Sequence, residues 1–290
     1  MSWRTVIITN RCKLDLKMGY MVIRAEETKR IFIDEIAILL IENPAVSLTG
    51  CLLEALIEKK VRIIFCDSKR SPMAELVPHN GSYDASRKIK MQIAWTDDIK
   101  GWVWSEIVSE KIRKQAEMLR QNALDAEADL LESYIPQIEF NDSTNREGHA
   151  AKVYFNALFG KQFTRSEDCP INAALNYGYQ ILLSAFNREI SANGYLCQLG
   201  LFHDNVFNHF NLSCDLMEPF RILVDREVYK ALPFDFDKEM KYRLWNMLNG
   251  TVMIDSARQT VLNAIRIYTR SVLRAVNDMD VSAIEFYSRV

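Results

Sequence analysis

Pro78-His79-Asn80-Gly81-Ser82-Tyr83-Asp84 separates two parts of the chain that read differently. Proline, glycine, asparagine and aspartate this dense mark a turn and end regular structure on either side. Upstream the pattern is that of strands. Thr5 to Thr9 is a β-branched run, Lys13-Leu14-Asp15-Leu16 alternates, and Tyr20 to Ile23 and Ile31 to Ile33 are short apolar runs between polar residues. Ile36 to Ile41 is apolar throughout and stops at Asn43-Pro44, as a buried strand does. Ser47 to Lys59 has helical spacing with Ser47 as a cap, and Val61 to Phe65 and Met73 to Val77 read as further strands. Downstream everything reads as helix, beginning with Ala85 to Trp95, about Gly101 to Gln121, and Ala123 to Tyr134. The expected fold is α+β: a small β-rich domain over residues 1–80, then a larger all-α domain over residues 81–290.

Composition bounds the function. At 290 residues with 49% hydrophobic side chains, the chain can bury a sizeable core. No apolar run reaches the roughly 18 residues of a membrane span, and the N-terminus lacks the layout of a signal peptide. A cytoplasmic location without membrane contact is expected. The six cysteines show no C-x-x-C spacing, which argues against a zinc knuckle or a disulfide framework. A net charge of -2 excludes a protein that coats DNA with its whole surface, but leaves room for a local basic groove.

The charges on the helices between residues 85 and 134 read as solvated faces. Thr144-x-x-Glu147 is a capping-box pattern at the start of the next helix. Glu147 also lies on the apolar stripe of Ala150, Tyr154, Ala157 and Leu158, and an inward carboxylate needs a partner. Both readings stay open. Asp168-Cys169-Pro170 opens another helix, with Asp168 as cap and Asn172 and Asn176 on one face. Asp235 to Met247 carries Lys241 and Arg243, and Asp255 to Val276 reads as one long helix with Arg258, Arg266, Arg270 and Arg274. The ridge 266-270-274 could grip phosphates or face solvent.

Tyr195 to Asp225 is the stretch richest in chemistry. An apolar run ends on His203, a polar connector containing His209 follows, and an apparent helix carries Asp215 and Glu218. Three-residue spacing puts those carboxylates on one helix face. Imidazole plus carboxylate suits a divalent cation. Pro219 removes a backbone N–H beside the pair, and Arg221 is placed to pair with Glu218.

Three segments together resemble a known family, the CRISPR-associated spacer integrase called "Cas-one". Arg146-Glu147-Gly148-His149-Ala150-Ala151 is similar to its Glu-Gly-x-Ala-Ala segment. Asn172-Ala173-Ala174-Leu175-Asn176-Tyr177-Gly178-Tyr179 is similar to its Asn-rich helix. Gly200-Leu201-Phe202-His203, followed by Asp215-Leu216-Met217-Glu218-Pro219-Phe220-Arg221, resembles its His and acidic blocks. The opening, Met1 to Asn10, is similar to the type II branch that accompanies the Cas-nine effector. The resemblance implies metal ligation and catalysis by Glu147, His203 and Glu218, with Asp215 at an acidic position often present nearby. Some branches have Asp where this chain has Glu218.

It also implies the chemistry: a Mg²⁺- or Mn²⁺-dependent DNA endonuclease and integrase of antiviral defence. Such an enzyme joins 3′-hydroxyl ends of prespacer DNA to the CRISPR repeat by transesterification. The implied partners are double-stranded prespacer and repeat DNA, a second copy of the chain, and a small adaptation protein of the Cas-two type that bridges dimers. The Cas-nine effector and a ring-shaped DNA-binding accessory join them in type II systems. Arg146, Lys241, Arg243, Arg266 and Arg270 are the basic residues placed to touch DNA. A metal-dependent nuclease of branched DNA without integrase activity, and a non-catalytic DNA-binding scaffold, are the alternatives.

Overall fold

The structure, a computed structural model, describes residues 4–68, 70, 72–76 and 82–289. The expected boundary between residues 80 and 81, the start of the Met1–Asn10 motif, and Val77 lie outside the described residues.

Among the described residues the strand-rich part forms two four-stranded sheets. In the first, β1 (Arg4–Ile8) runs parallel to a central strand, Ile36–Ile41. The second is built from β2 (Lys13–Lys17), β3 (Tyr20–Arg24) and β4 (Thr28–Phe32), which make an antiparallel meander. The central strand, β5 (Ile36–Ile41), is buried at every position, as its unbroken apolar sequence requires. Its register shifts opposite Arg4 and Thr5, where Ala37 is the extra residue. Beyond that shift Leu39 and Ile41 face a core inside the β-lobe, and Ile38 and Leu40 face the helices. The two lobes are therefore joined by packing across one strand. β6 (Ser47–Leu48) closes the second sheet. α1 (Gly50–Glu58) follows, capped by the Thr49 hydroxyl, which accepts from the Leu52 N–H, and not by Ser47. β7 (Arg62–Cys66) and β8 (Pro72–Leu76) complete the first sheet.

Next come α2 (Ala85–Ile93), α3 (Asp97–Gln121), α4 (Asp125–Tyr134), α5 (Arg146–Phe159) and α6 (Pro170–Ala192). α3 and α6 are the axes of this part, buried on most of their circumference. The expectation of solvated charged faces fails on α3: Glu110, Lys111 and Lys114 are all buried. Asp168 does not cap α6; Cys169 is the N-cap residue, and Pro170 sits at the first helical position. α7 (Asn211–Leu216), α8 (Arg221–Ala231) and α9 (Lys238–Asn246) then pack around α6.

The long helix expected from Asp255 begins only at Val261. Asp255 and Ser256 adopt left-handed φ of 51° and 55° and turn a hairpin between β9 (Thr251–Ile254) and β10 (Ala257–Thr260). Arg258 therefore lies on a strand. α10 (Val261–Asp278), capped by Thr260, follows, and β11 (Ser288–Arg289) adds to the free edge of β9. The helical part thus contains a three-stranded sheet. Among the described residues no helix is long and apolar enough to cross a membrane.

Candidate active site between α3, α5 and the α7–α8 turn

Glu147 is freed from capping by two other residues. Asn145, in a left-handed conformation, accepts from the Gly148 N–H at 3.2 Å. The Asp142 carboxylate accepts from the N–H groups of Arg146 and Glu147 at 2.8 and 3.0 Å. With the first turn satisfied in this way the Thr144–Glu147 capping box does not form. Gly148 is part of the device, since a Cβ there would stand 2.6 Å from Asn145 Oδ1. The Glu147 carboxylate instead accepts from the Lys111 ammonium on α3.

Asp215 and Glu218 do not share a helix face. α7 ends at Leu216, and Glu218-Pro219-Phe220 is a separate 3₁₀ turn leading into α8. Tyr287, just before β11, donates its hydroxyl to the Pro219 carbonyl at 3.1 Å and packs its ring on Phe220, which holds that turn in place. Asp215 points away from the cavity. Its Oδ2 accepts from the N–H groups of Leu201 and Phe202 at 2.6 and 3.2 Å. Its Oδ1 accepts from the His203 N–H at 3.1 Å and meets His203 Nδ1 at 2.5 Å. Wholly buried and with both oxygens engaged, Asp215, named above at an acidic position beside the ligands, is placed to orient the histidine. Nδ1–H donation to a carboxylate leaves Nε2 as the free imidazole nitrogen. The hydrogen bond that His203 donates to Asp215 raises the His203 pKa, against burial that lowers it.

Glu147, His203 and Glu218 line one cavity of about 280 Å³, together with Lys111, Arg165, Tyr179, Arg221 and Asp225. Lys111 Nζ lies between the two glutamates, in contact with Glu147 and 2.5 Å from Glu218 Oε2. Arg221 Nε donates to Glu218 Oε1 at 2.9 Å. Burial alone would push the Glu218 carboxyl up; Arg221 and Lys111 outweigh it and hold it down to about 2. Lys111 is shifted upward, because Glu218 and Glu147 together overcome the burial that would lower it.

Among the described residues no three His, Cys, Asp or Glu side chains come close enough together to hold a metal ion. The donor set nonetheless fits a cation. Two carboxylates already converge on one positive group, the Lys111 ammonium. Glu218 Oε2 is buried and, although ion-paired, has no donor aligned for a hydrogen bond. A hard divalent ion with carboxylate and imidazole ligands suits that vacancy in hydrogen bonding.

Sequence reasoning missed Lys111, Arg165, Tyr179 and Asp225. Lys111 carried a signal, because it lies on the stripe Trp104, Val108, Lys111, Gln115, Met118, all of which are buried. Arg165, on the loop after α5, carried none. Asn172 and Asn176 share a face as expected, and both accept from Arg165. The basic residues singled out for DNA lie outside the cavity. Arg146 sits over the Tyr134 ring and Lys241 over Tyr177 and Phe236. Arg243 is half-buried on α9. Arg266 is half-buried and Arg270 exposed, the latter in a cleft with Arg87, Lys88 and Arg274. The ridge is not a uniform strip, because Arg274 pairs with Glu285 at 3.3 Å.

Fold and site together define a two-lobed α+β protein that gathers two glutamates and a carboxylate-oriented histidine around one polar cavity. The profile of the family described as "CRISPR associated protein Cas1" matches residues 5–266. A relative from Neisseria meningitidis serogroup C (strain 8013), named "CRISPR-associated endonuclease Cas1", is 32% identical over 284 residues, covering 96% of this chain and 93% of the relative. Among solved structures, a casposase bound to integration product has a TM-score of 0.75 at 15% identity, covering 96% of this chain and 91% of the casposase. A chain of a Cas6-RT-Cas1–Cas2 complex has a TM-score of 0.74 at 16% identity; it is covered to 36% by 97% of this chain, which thus spans about a third of it. The chain belongs to the Cas1 family of CRISPR-associated proteins.

Proposed function

We propose that the chain is a metal-dependent DNA integrase and endonuclease of CRISPR adaptation. The observation that carries this reading is the convergence of Glu147, Glu218 and the oriented His203 on one cavity. The relative's name as an endonuclease and the casposase's integration product support it. The 3′-hydroxyl oxygen of a prespacer end forms a bond to a repeat phosphorus while the P–O3′ bond of the repeat breaks. One proton leaves the attacking hydroxyl and one is gained by the departing oxygen. Phosphodiester replaces phosphodiester, so neither a protein nucleophile nor a nucleotide-hydrolysis motif is needed.

Glu147, His203 and Glu218 would hold the cation, Mg²⁺ or Mn²⁺. When bound it supplies polarisation of the phosphate and a lowered pKa for the attacking hydroxyl. The chain's own groups set the stage. Lys111 and Arg221 keep Glu218 ionised at any pH near neutrality, and Asp215 keeps His203 Nε2 turned outward from its own anchor. A dimer through the β-lobe, a small Cas-two-type partner bridging dimers, and contact with the Cas-nine effector and a ring-shaped accessory complete the proposed cytoplasmic assembly. DNA runs along Arg146, Lys241, Arg243, Arg266 and Arg270.

The test mixes the protein and its small partner with a prespacer bearing 3′-hydroxyl ends and a repeat-bearing plasmid in Mn²⁺ or Mg²⁺. Covalent joining by wild type but not by His203→Ala is expected. Cutting without joining would leave the branched-DNA nuclease, and DNA binding without either would leave the scaffold.

A further inference from the structure

Among the described residues Arg165 is a cation that the cavity holds through neutral groups and not through an ion pair, and its charge reaches Asp225, whose carboxyl pKa it helps to lower. Its Nη1 donates to Asn172 Oδ1, and its Nη2 donates to Asn176 Oδ1 at 2.6 Å. Both acceptors are neutral amides. The guanidinium also lies over two rings, 5.6 Å from the centre of Phe155 and 5.4 Å from that of Tyr179. Amide oxygens and ring faces orient a guanidinium while leaving its charge uncancelled.

The anchor is itself rigid. Asn172 is 2% exposed, and its Nδ2 donates to the carbonyls of Thr164 and Glu167 at 2.8 and 2.9 Å. The loop that carries Arg165 is thereby tied to the first turn of α6. The other cations of the cavity are placed differently. Lys111 and Arg221 both pair with Glu218. Asp225, the remaining carboxylate of the lining, accepts from the Tyr179 and Tyr154 hydroxyls at 2.5 and 3.1 Å. Arg221 lies on the same Tyr179 ring as Arg165, 4.6 Å from its centre. A continuous line of contacts thus runs from Glu218 through Arg221 and Tyr179 to Arg165.

A planar fork of donors whose charge is not tied up in an ion pair is a receptor for a phosphate oxygen pair. The two asparagines account for two of its five N–H groups. We infer that Arg165 grips a non-bridging oxygen of the scissile phosphodiester, with Asn172 and Asn176 as its positioning residues. This rests on the integrase and endonuclease reading, and it adds a substrate-touching residue to the acid–histidine set. Charge that develops on the non-bridging oxygens in the transition state would meet a donor already oriented for it.

The experiment follows strand joining in Mn²⁺ on a repeat duplex whose scissile phosphate is either unmodified or carries sulfur in place of one non-bridging oxygen, each diastereomer separately. Wild type is expected to discriminate between the two diastereomers. Arg165→Ala should slow the unmodified substrate by about 10²–10³-fold, the usual loss for one preorganised donor. It should also lose the discrimination, because the contact that read the oxygen is gone. Arg165→Lys should recover little, since an ammonium cannot span both amides and lie flat on the rings. Asn172→Ala and Asn176→Ala should fall between, with discrimination weakened. A residue that merely holds the fold would slow all substrates alike and leave the discrimination intact; that result overturns the inference alone. Wild type that neither joins nor cuts the unmodified DNA would overturn the functional reading, and this inference with it.

Discussion

Replacing Asp225 by Asn should stabilise the protein above pH 7 and leave it no more stable at pH 4. Asp225 is 2% exposed, and burial pushes its carboxyl from the ordinary 3.8 up to about 6, against the opposing pull of the Tyr179 and Tyr154 hydroxyls. An acid raised on folding contributes its stability below 3.8, where both states are protonated. That stability is lost as pH rises through about 6, where the native state must bury a charge. A rise of this size corresponds to ~3 kcal/mol at alkaline pH. Asn keeps the shape and removes the charge. Its Oδ1 can keep the Tyr179 hydroxyl, while its Nδ2 faces Tyr154, whose proton can point to Met118 Sδ at 3.0 Å. Exchanging charged for neutral hydrogen bonds takes back ~1 kcal/mol. The expected net gain is ~2 kcal/mol at pH 8, or about 4–8 °C in Tm for a large domain. Urea midpoints at pH 4, 5, 6, 7 and 8 read it directly. A variant that tracks wild type at every pH, or is the weaker of the two at pH 8, refutes the reasoning that Asp225 is a desolvated charge.

Asp215→Asn removes the carboxylate behind His203 and should cost about 1–3 kcal/mol, as leaving a buried hydrogen-bond donor without its acceptor does. An NMR titration of His203 should show its pKa falling from its raised position. The stabilisation that wild type enjoys below pH 6.5, and loses as pH rises through the folded His203 pKa, should vanish in the variant. Gly178→Ala places a Cβ 2.4 Å from Val224 Cγ1 between α6 and α8, and should cost ~1–3 kcal/mol in urea unfolding; Val224→Ala in the same chain should return part of it. Lys111→Met leaves Glu147 and Glu218 facing each other and should lower metal-free stability by about 3–5 kcal/mol. Mn²⁺ should then raise Tm more in the variant than in wild type. An equal rise would show that cation and ammonium do not compete for the carboxylates.

The α+β layout was legible because its signals are local. Ile36–Ile41 is apolar without a break, and α5 and α6 announce themselves by spacing. The hairpin at Asp255–Ser256 was not, since Ala257 to Thr260 carries no apolar alternation and the strands gain their stability from β11 and α10. Glu147, His203 and Glu218 could be named from their motifs. Their geometry could not, because Pro219 breaks the helix that spacing alone would have continued, and this turns Asp215 behind the histidine. Lys111 was hidden by its type: a lysine on an apolar stripe reads as a register slip until its two carboxylates are brought from other elements. Arg165 depends on a loop conformation set by Asn172, a long-range fact that no local pattern carries.

The turn that holds Glu218 has a consequence in time. Its carbonyl at Pro219 is fastened by Tyr287, 68 residues further along the chain. At the usual rates of synthesis that distance corresponds to ~3–14 s on the ribosome. During that interval Glu147 and Lys111 are already made, while Glu218, the second glutamate, has no brace behind it. The Glu218 side of the cavity is therefore braced only once Tyr287 has been made, and the strand-joining chemistry proposed for it waits on that contact.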